Sequence, residues 1–135
     1  MRTYEDLEQD DGTVVRYRRH ELGGGMVATG ARVDESAYVA ATAWIDPGAR
    51  VGRETRIGDH AWIESDAVVG TRVRIGSHVH VGRQAVIGDG AKVSTRADIG
   101  ERSRLASRTV VDQEERIPEG VVVGSELRSP ARSAA

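Results

Sequence analysis

The chain of 135 residues has no cysteine and no phenylalanine. Without cysteine, neither a disulfide framework nor a thiolate metal site can form. That composition suits a reducing cytoplasm, which is the expected location. No apolar run approaches the roughly 20 residues that a membrane span needs, so no membrane partner is expected. The opening stretch, Met1 to Gly12, is acidic and has no apolar core, unlike a signal peptide. Neither sign of charge prevails: the formal net charge is −2 and the isoelectric point is about 6.1. No global positive field is therefore available to gather nucleic acid, which is not an expected partner. The sequence also lacks a P-loop, a nucleophile elbow and a dinucleotide fingerprint, and Gly23-Gly24-Gly25 has no strand–helix context that would make it one. No Thr-x-Thr ladder is present, which argues against an ice-binding surface.

What the chain does contain is a period of six. Stepping from Val27 through Val33, Val39, Ile45 and Val51 to Ile117 and Val123, all seventeen positions are aliphatic. With aliphatic side chains at about one residue in four or five, chance does not sustain such a run. Four residues after the aliphatic the side chain is mostly small, as at Ala31, Ala37, Ala43, Ala49, Thr55, Ala61 and Ala67, while Val73 and Val79 are larger but still apolar. The residue just after each aliphatic is mostly Gly, Ala, Asp or Glu, including Gly52, Gly58, Gly70, Gly76, Gly82 and Gly88. Those glycines are expected to form tight corners, where a left-handed backbone is free of steric cost. A fixed inward aliphatic and a fixed inward small residue give short strands separated by turns. Stacked coils of such strands would bond along the axis at about 4.8 Å per layer, each stabilised only by its neighbours.

This pattern, over residues 27–128, resembles the hexapeptide-repeat superfamily. The resemblance implies an all-β fold: a single-stranded left-handed parallel β-helix with triangular coils of 18 residues. Seventeen hexapeptides then make between five and six coils, a prism about 27 Å long. The left hand comes from the resemblance, since the usual crossover rule favours the other. A homotrimer, with any small-molecule site between subunits, is likewise what the resemblance implies.

Three segments are expected. Residues 1–26 form a cap over the open strand edges of the first coil, with a turn at Asp10-Asp11-Gly12 and a strand at Val14-Val15-Arg16-Tyr17-Arg18. Residues 27–128 are the repeat, which decays where Glu115 and Leu127 replace small residues. Residues 129–135 are a flexible tail. Ile117-Pro118-Glu119-Gly120-Val121-Val122-Val123-Gly124-Ser125 resembles the last coil of hexapeptide acyltransferases and gamma-class carbonic anhydrases.

Because residues 18 apart should stack, the outward positions sort into three faces. The first carries Thr42, Trp44, His60, Trp62, His78, His80, Arg96, Asp98, Glu114 and Arg116. It holds both tryptophans and three of the four histidines, with His80 under Trp62 and with Arg96 over Glu114 and Asp98 over Arg116 as opposite-charge neighbours. The arginine columns of the other two faces are expected to keep the protein soluble, and His20, in the cap, is given no role.

Three functions compete for the first face. One is a non-catalytic or catalytically divergent scaffold, an oligomeric binding module whose interface is Trp44, Trp62, Arg96 and Arg116, since exposed tryptophans mark interfaces. A second is acyl-CoA-dependent acyl transfer, as the resemblance implies, with His80 as general base, Asp98 orienting its ring and His78 as the substitute. No hexapeptide is interrupted by an acceptor-shaping loop, however. The third is a Zn²⁺ site of gamma-class carbonic anhydrase type, with His60, His78 and His80 as three imidazole ligands. Here the spacing His78-x-His80 departs from that family's motif, and Ile63-Glu64-Ser65-Asp66 stands near where its Arg-x-Asp would fall.

Overall fold

A computed structural model describes residues 4–8 and 14–124. All of its regular structure is β. Three longer strands come first: β1 (Tyr4–Glu8), β2 (Val14–Arg19) and β3 (Met26–Ala28). Sixteen two-residue strands follow, one per hexapeptide: β4 (Arg32–Val33), β5 (Tyr38–Val39), β6 (Trp44–Ile45), β7 (Arg50–Val51), β8 (Arg56–Ile57), β9 (Trp62–Ile63), β10 (Val68–Val69), β11 (Arg74–Ile75), β12 (His80–Val81), β13 (Val86–Ile87), β14 (Lys92–Val93), β15 (Asp98–Ile99), β16 (Arg104–Leu105), β17 (Val110–Val111), β18 (Arg116–Ile117) and β19 (Val122–Val123). They form three parallel sheets, the walls of a left-handed β-helix of about five turns. Wall one runs β1-β2-β3-β6-β9-β12-β15-β18, wall two β4-β7-β10-β13-β16-β19 and wall three β5-β8-β11-β14-β17. Within the coils the register is 18 residues: Trp44 pairs with Trp62, Trp62 with His80 and His80 with Asp98. No helix among the described residues is long and apolar enough to cross a membrane.

The core is the pair of inward columns read from the sequence. Ile45, Ile57, Ile63, Ile87 and Ile99 are fully buried, and so are the alanines between them. The narrow prism explains the small column: three walls converge, and alanine is what fits opposite a branched aliphatic. Four members of that column are polar. Thr55 Oγ1 donates to the Gly70 carbonyl at 2.7 Å and accepts from Val73 N–H at 3.1 Å. Ser103 Oγ donates to the Gly100 carbonyl. Thr109 Oγ1 is buried and has no hydrogen-bond partner among the described residues. Glu115 is half-buried and its carboxylate accepts from Asp112 N–H.

The corners correct the sequence reading. Among non-glycine residues, positive φ falls at the third position after the aliphatic, at Glu54, His60, Asp66, Arg72, His78, Gln84, Arg96, Arg102, Arg108 and Glu114, with φ between 55° and 63°. Each such L-residue carries about 1–2 kcal/mol of steric cost. The glycines after the aliphatics are needed for a different reason, which is close approach of successive coils. A Cβ on Gly58 would stand 2.8 Å from the carbonyl carbon of Gly76, and one on Gly82 would stand 2.7 Å from Glu101 N.

At the N-terminal end, β1 pairs antiparallel with β2, and β2 with β3, so the sequence adds a hairpin to wall one. Tyr17, Met26 and Ala28 form a small buried cluster on the outer side of this wall, with Val15 and Trp44 against it. His20, given no role from sequence, is buried and its Nε2 lies 2.8 Å from the Ala37 carbonyl. The expected turn at Asp10-Asp11-Gly12, Leu127 and the tail 129–135 lie outside the described residues.

Candidate functional site on wall one

The candidate site is the outer side of wall one between β3 and β18. The strand pleat points the first residue of each two-residue strand outward, so Trp44, Trp62, His80, Asp98 and Arg116 share this side. Trp44 is half-buried under the hairpin, its ring edge-on to Tyr17 with centroids 5.0 Å apart. One coil below, Trp62 is 47% exposed. Its ring lies against His80, with centroids 4.9 Å apart and planes tilted by 45°.

Two acids that sequence reasoning did not place against Trp62 or His80 complete the site. Asp46 and Glu64 each follow an inward isoleucine, at the position filled by Gly82 and Gly100 in the next coils. Asp46 Oδ1 accepts from the Tyr17 hydroxyl at 2.9 Å, and its Oδ2 accepts from Trp62 Nε1 at 2.8 Å. Glu64 meets His80 Nε2, and Asp98 Oδ1 lies 3.0 Å from His80 Nδ1. The signal for both acids was available in the sequence: acidic residues appear where other coils carry the glycine that close packing favours.

His80 is thus flanked by a carboxylate at each ring nitrogen, on three successive coils. Both nitrogens can be donors only in the imidazolium form. Its half-buried place works to lower its pKa, but the hydrogen bonds and charges of Asp98 and Glu64 more than offset this, and the net shift is upward. Burial, followed by the charge and hydrogen bond of Asp46, likewise pushes the Tyr17 phenol well above its usual range.

The remaining expected site residues fall at the corner beside this wall. His60 and His78 stack with ring centroids 4.7 Å apart and planes 9° apart. The stacked rings of His60 and His78 lie face to face, while the ring N–H groups of His80 are directed at Glu64 and Asp98. The structure therefore does not bring the three imidazoles of the expected metal set to one point, and no group of three or more His, Asp or Glu residues among those described is placed to hold a metal ion. It does bring His80 and Asp98 together. His78 lies apart from them, on the other side of its strand start. Arg96 Nε donates to Glu114 at 3.0 Å across one coil. Arg116 is the register neighbour of Asp98, whose Oδ1 turns to His80 instead.

Residues 54–89, which include Trp62, Glu64 and His80, match the family model described as bacterial transferase hexapeptide, six repeats. The chain is a hexapeptide-repeat β-helix protein. No curated protein matches it in sequence. Among solved structures, this hexapeptide-repeat chain is similar to the acetyltransferase domain of PglB from Neisseria gonorrhoeae FA1090 in complex with acetyl coenzyme A, at a TM-score of 0.58 and 18% identity, over 81% of this chain and 57% of that one. It is also similar to the UDP-N-acetylglucosamine O-acyltransferase LpxA from Moraxella catarrhalis RH4, at a TM-score of 0.40 and 18% identity, over 73% and 64%. The chain spans little more than half the length of the PglB domain, and the likeness is one of fold.

Proposed function

We propose that this protein is an oligomeric scaffold, a binding module that meets copies of itself through wall one. The observation behind this reading is the pairing of a closed polar network with an open apolar surface. Every ring nitrogen of Trp62 and His80 already has a carboxylate partner, while the face of the Trp62 indole stays half-exposed. Rings whose nitrogens are satisfied internally can bury an aromatic surface against a partner without leaving those nitrogens unpaired. Trimerisation, implied by the hexapeptide-repeat resemblance, is the symmetric arrangement expected. The test is mass in solution by sedimentation equilibrium. The wild-type chain should be a trimer and Trp62→Ala a lighter species; an oligomer unchanged by Trp62→Ala removes wall one as the contact.

One observation supports acyl transfer as a second reading. Asp98 sits 3.0 Å from His80 Nδ1, the arrangement by which a carboxylate orients a general base. In that reading Glu64 first swings away and Nε2 gives up its proton; the neutral His80 Nε2 then takes the proton of an acceptor hydroxyl or amine as that acceptor attacks an acyl-CoA thioester, and the CoA thiolate leaves. Calorimetry with acetyl-CoA decides: saturable heat supports transfer, and none at high ligand concentration removes it.

A further inference from the structure

In the first coil, each wall presents three backbone groups away from the second coil: one carbonyl before the strand, then the N–H and carbonyl of the inward aliphatic. On wall three these are the Ala37 carbonyl and both groups of Val39. The cap takes all three. His20 Nε2 meets the Ala37 carbonyl at 2.8 Å, the Leu22 carbonyl accepts from Val39 N–H at 3.1 Å, and Gly25 N–H donates to the Val39 carbonyl at 2.9 Å. On wall one, β2 pairs with β3 and covers its edge. On wall two the corresponding groups are the Ala31 carbonyl and the N–H and carbonyl of Val33. The sole partner strand of β4 is β7, on the other side, and these three groups have no hydrogen-bond partner among the described residues.

The open edge borders a groove. Its lining includes Arg18, Arg32 and Arg50, with Val33 and Val68 between them. Arg32 and Arg50 are direct register neighbours, a like-charge pair that raises the energy of the wall. None of the three guanidiniums has a carboxylate partner among the described residues. The one carboxylate in the groove, Asp34, is turned to its own loop, where it accepts from Ser36 N–H at 2.9 Å and from the Ser36 hydroxyl at 2.7 Å. Val33 is only half-buried, whereas Val27 and Val39, its counterparts on the capped walls, are fully buried.

We propose that β4 is a docking edge for an extended peptide that joins wall two as an added antiparallel strand, as β2 joins β3, carrying an acidic residue next to an aliphatic one. The chemistry follows the pleat of β4. A residue opposite Arg32 points outward, where the guanidiniums of Arg18, Arg32 and Arg50 select a carboxylate. A residue opposite Val33 points inward, where an aliphatic covers a side chain left half-buried at the open end of the prism. The peptide backbone supplies two donors and one acceptor to the three open groups, as His20, Leu22 and Gly25 do on wall three. Edge strands left in this state otherwise invite indiscriminate pairing, and the arginines restrict the pairing to acidic segments.

The experiment is fluorescence anisotropy of the full chain with a labelled peptide of sequence Gly-Ser-Asp-Val-Glu-Val-Ser-Gly. Saturable binding is expected, weakened about tenfold by N-methylation of the valine amides, each of which removes a backbone donor. Arg32→Glu should weaken it at least as much while leaving the melting temperature within a few degrees, because Arg32 is exposed. Lysine in place of the acidic residues should abolish binding. Three results overturn the proposal: no saturation by the acidic peptide, equal binding of its N-methylated form, or equal binding of the lysine form.

Discussion

The Glu64–His80–Asp98 arrangement makes stability depend on pH in a defined direction. The folded-state pKa of His80 is raised above the ordinary histidine value of 6.5. The stabilisation it brings is therefore complete below about pH 6.5 and is lost as pH rises through the higher folded-state value. Its size follows from exposure. The His80 side chain is 35% exposed, and its partners Glu64 and Asp98 are 15% and 47% exposed. Solvent screening reduces each such contact to about 0.5–1 kcal/mol, so the pair is worth about 1–2 kcal/mol. For a chain of this size that corresponds to a melting-temperature shift of about 3–8 °C. Wild-type protein and His80→Gln would be melted side by side from pH 5 to pH 9, each pH giving one difference, so that other titrating groups cancel. The difference should be largest at the acid end and shrink above neutrality. A difference that is flat across the range, or that grows toward alkaline pH, would refute the assignment of an imidazolium between two carboxylates.

Two comparisons inside the prism test the packing. Thr55→Val removes a hydroxyl that makes two hydrogen bonds and leaves their partners unpaired, so urea unfolding should show a loss of about 1–3 kcal/mol. Thr109→Val removes a buried hydroxyl with no partner and should be neutral or stabilising by about 1 kcal/mol; equal losses at the two sites would contradict the assigned contacts. Gly58→Ala places a Cβ 2.8 Å from backbone of the next coil and should cost about 1–3 kcal/mol. Gly120→Ala meets nothing within 4 Å and, at φ 73°, should cost only the left-handed penalty of about 1–2 kcal/mol in the same urea assay.

The eighteen-residue register was legible because the inward positions report it: the aliphatic column repeats without a gap and the small column with few exceptions, so Trp62 could be placed over His80 from residues alone. What the repeat could not show is where neighbouring columns touch. Glu64 fell in a position typed by its commonest occupant, glycine, and its reach to His80 depends on side-chain direction across a corner. The same blindness made His60, His78 and His80 look convergent. They share a face by count, but His60 and His78 stand on left-handed corners and His80 on a strand, so their rings diverge. The glycine reading failed for a related reason: composition marks a position as special without saying whether φ or interlayer distance makes it so. The cap lies outside the period altogether. Val14 to Arg18 could be read as a strand, but the burial of His20 and its bond to Ala37 depend on a fold-back that no six-residue pattern encodes.

Three walls built from six-residue units give the chain a reading frame of its own. Removing one whole coil keeps every later residue on its wall and merely shortens the prism. Removing a single hexapeptide between Trp62 and His80 instead advances everything downstream by a third of a turn. Val86 would then sit beneath Trp62, and His80 would come to rest beneath Arg56, away from Glu64, with the hydrophobic interior intact. Insertions and deletions in this protein thus divide by arithmetic: multiples of eighteen preserve function-bearing neighbours, and other multiples of six preserve the fold while dismantling them.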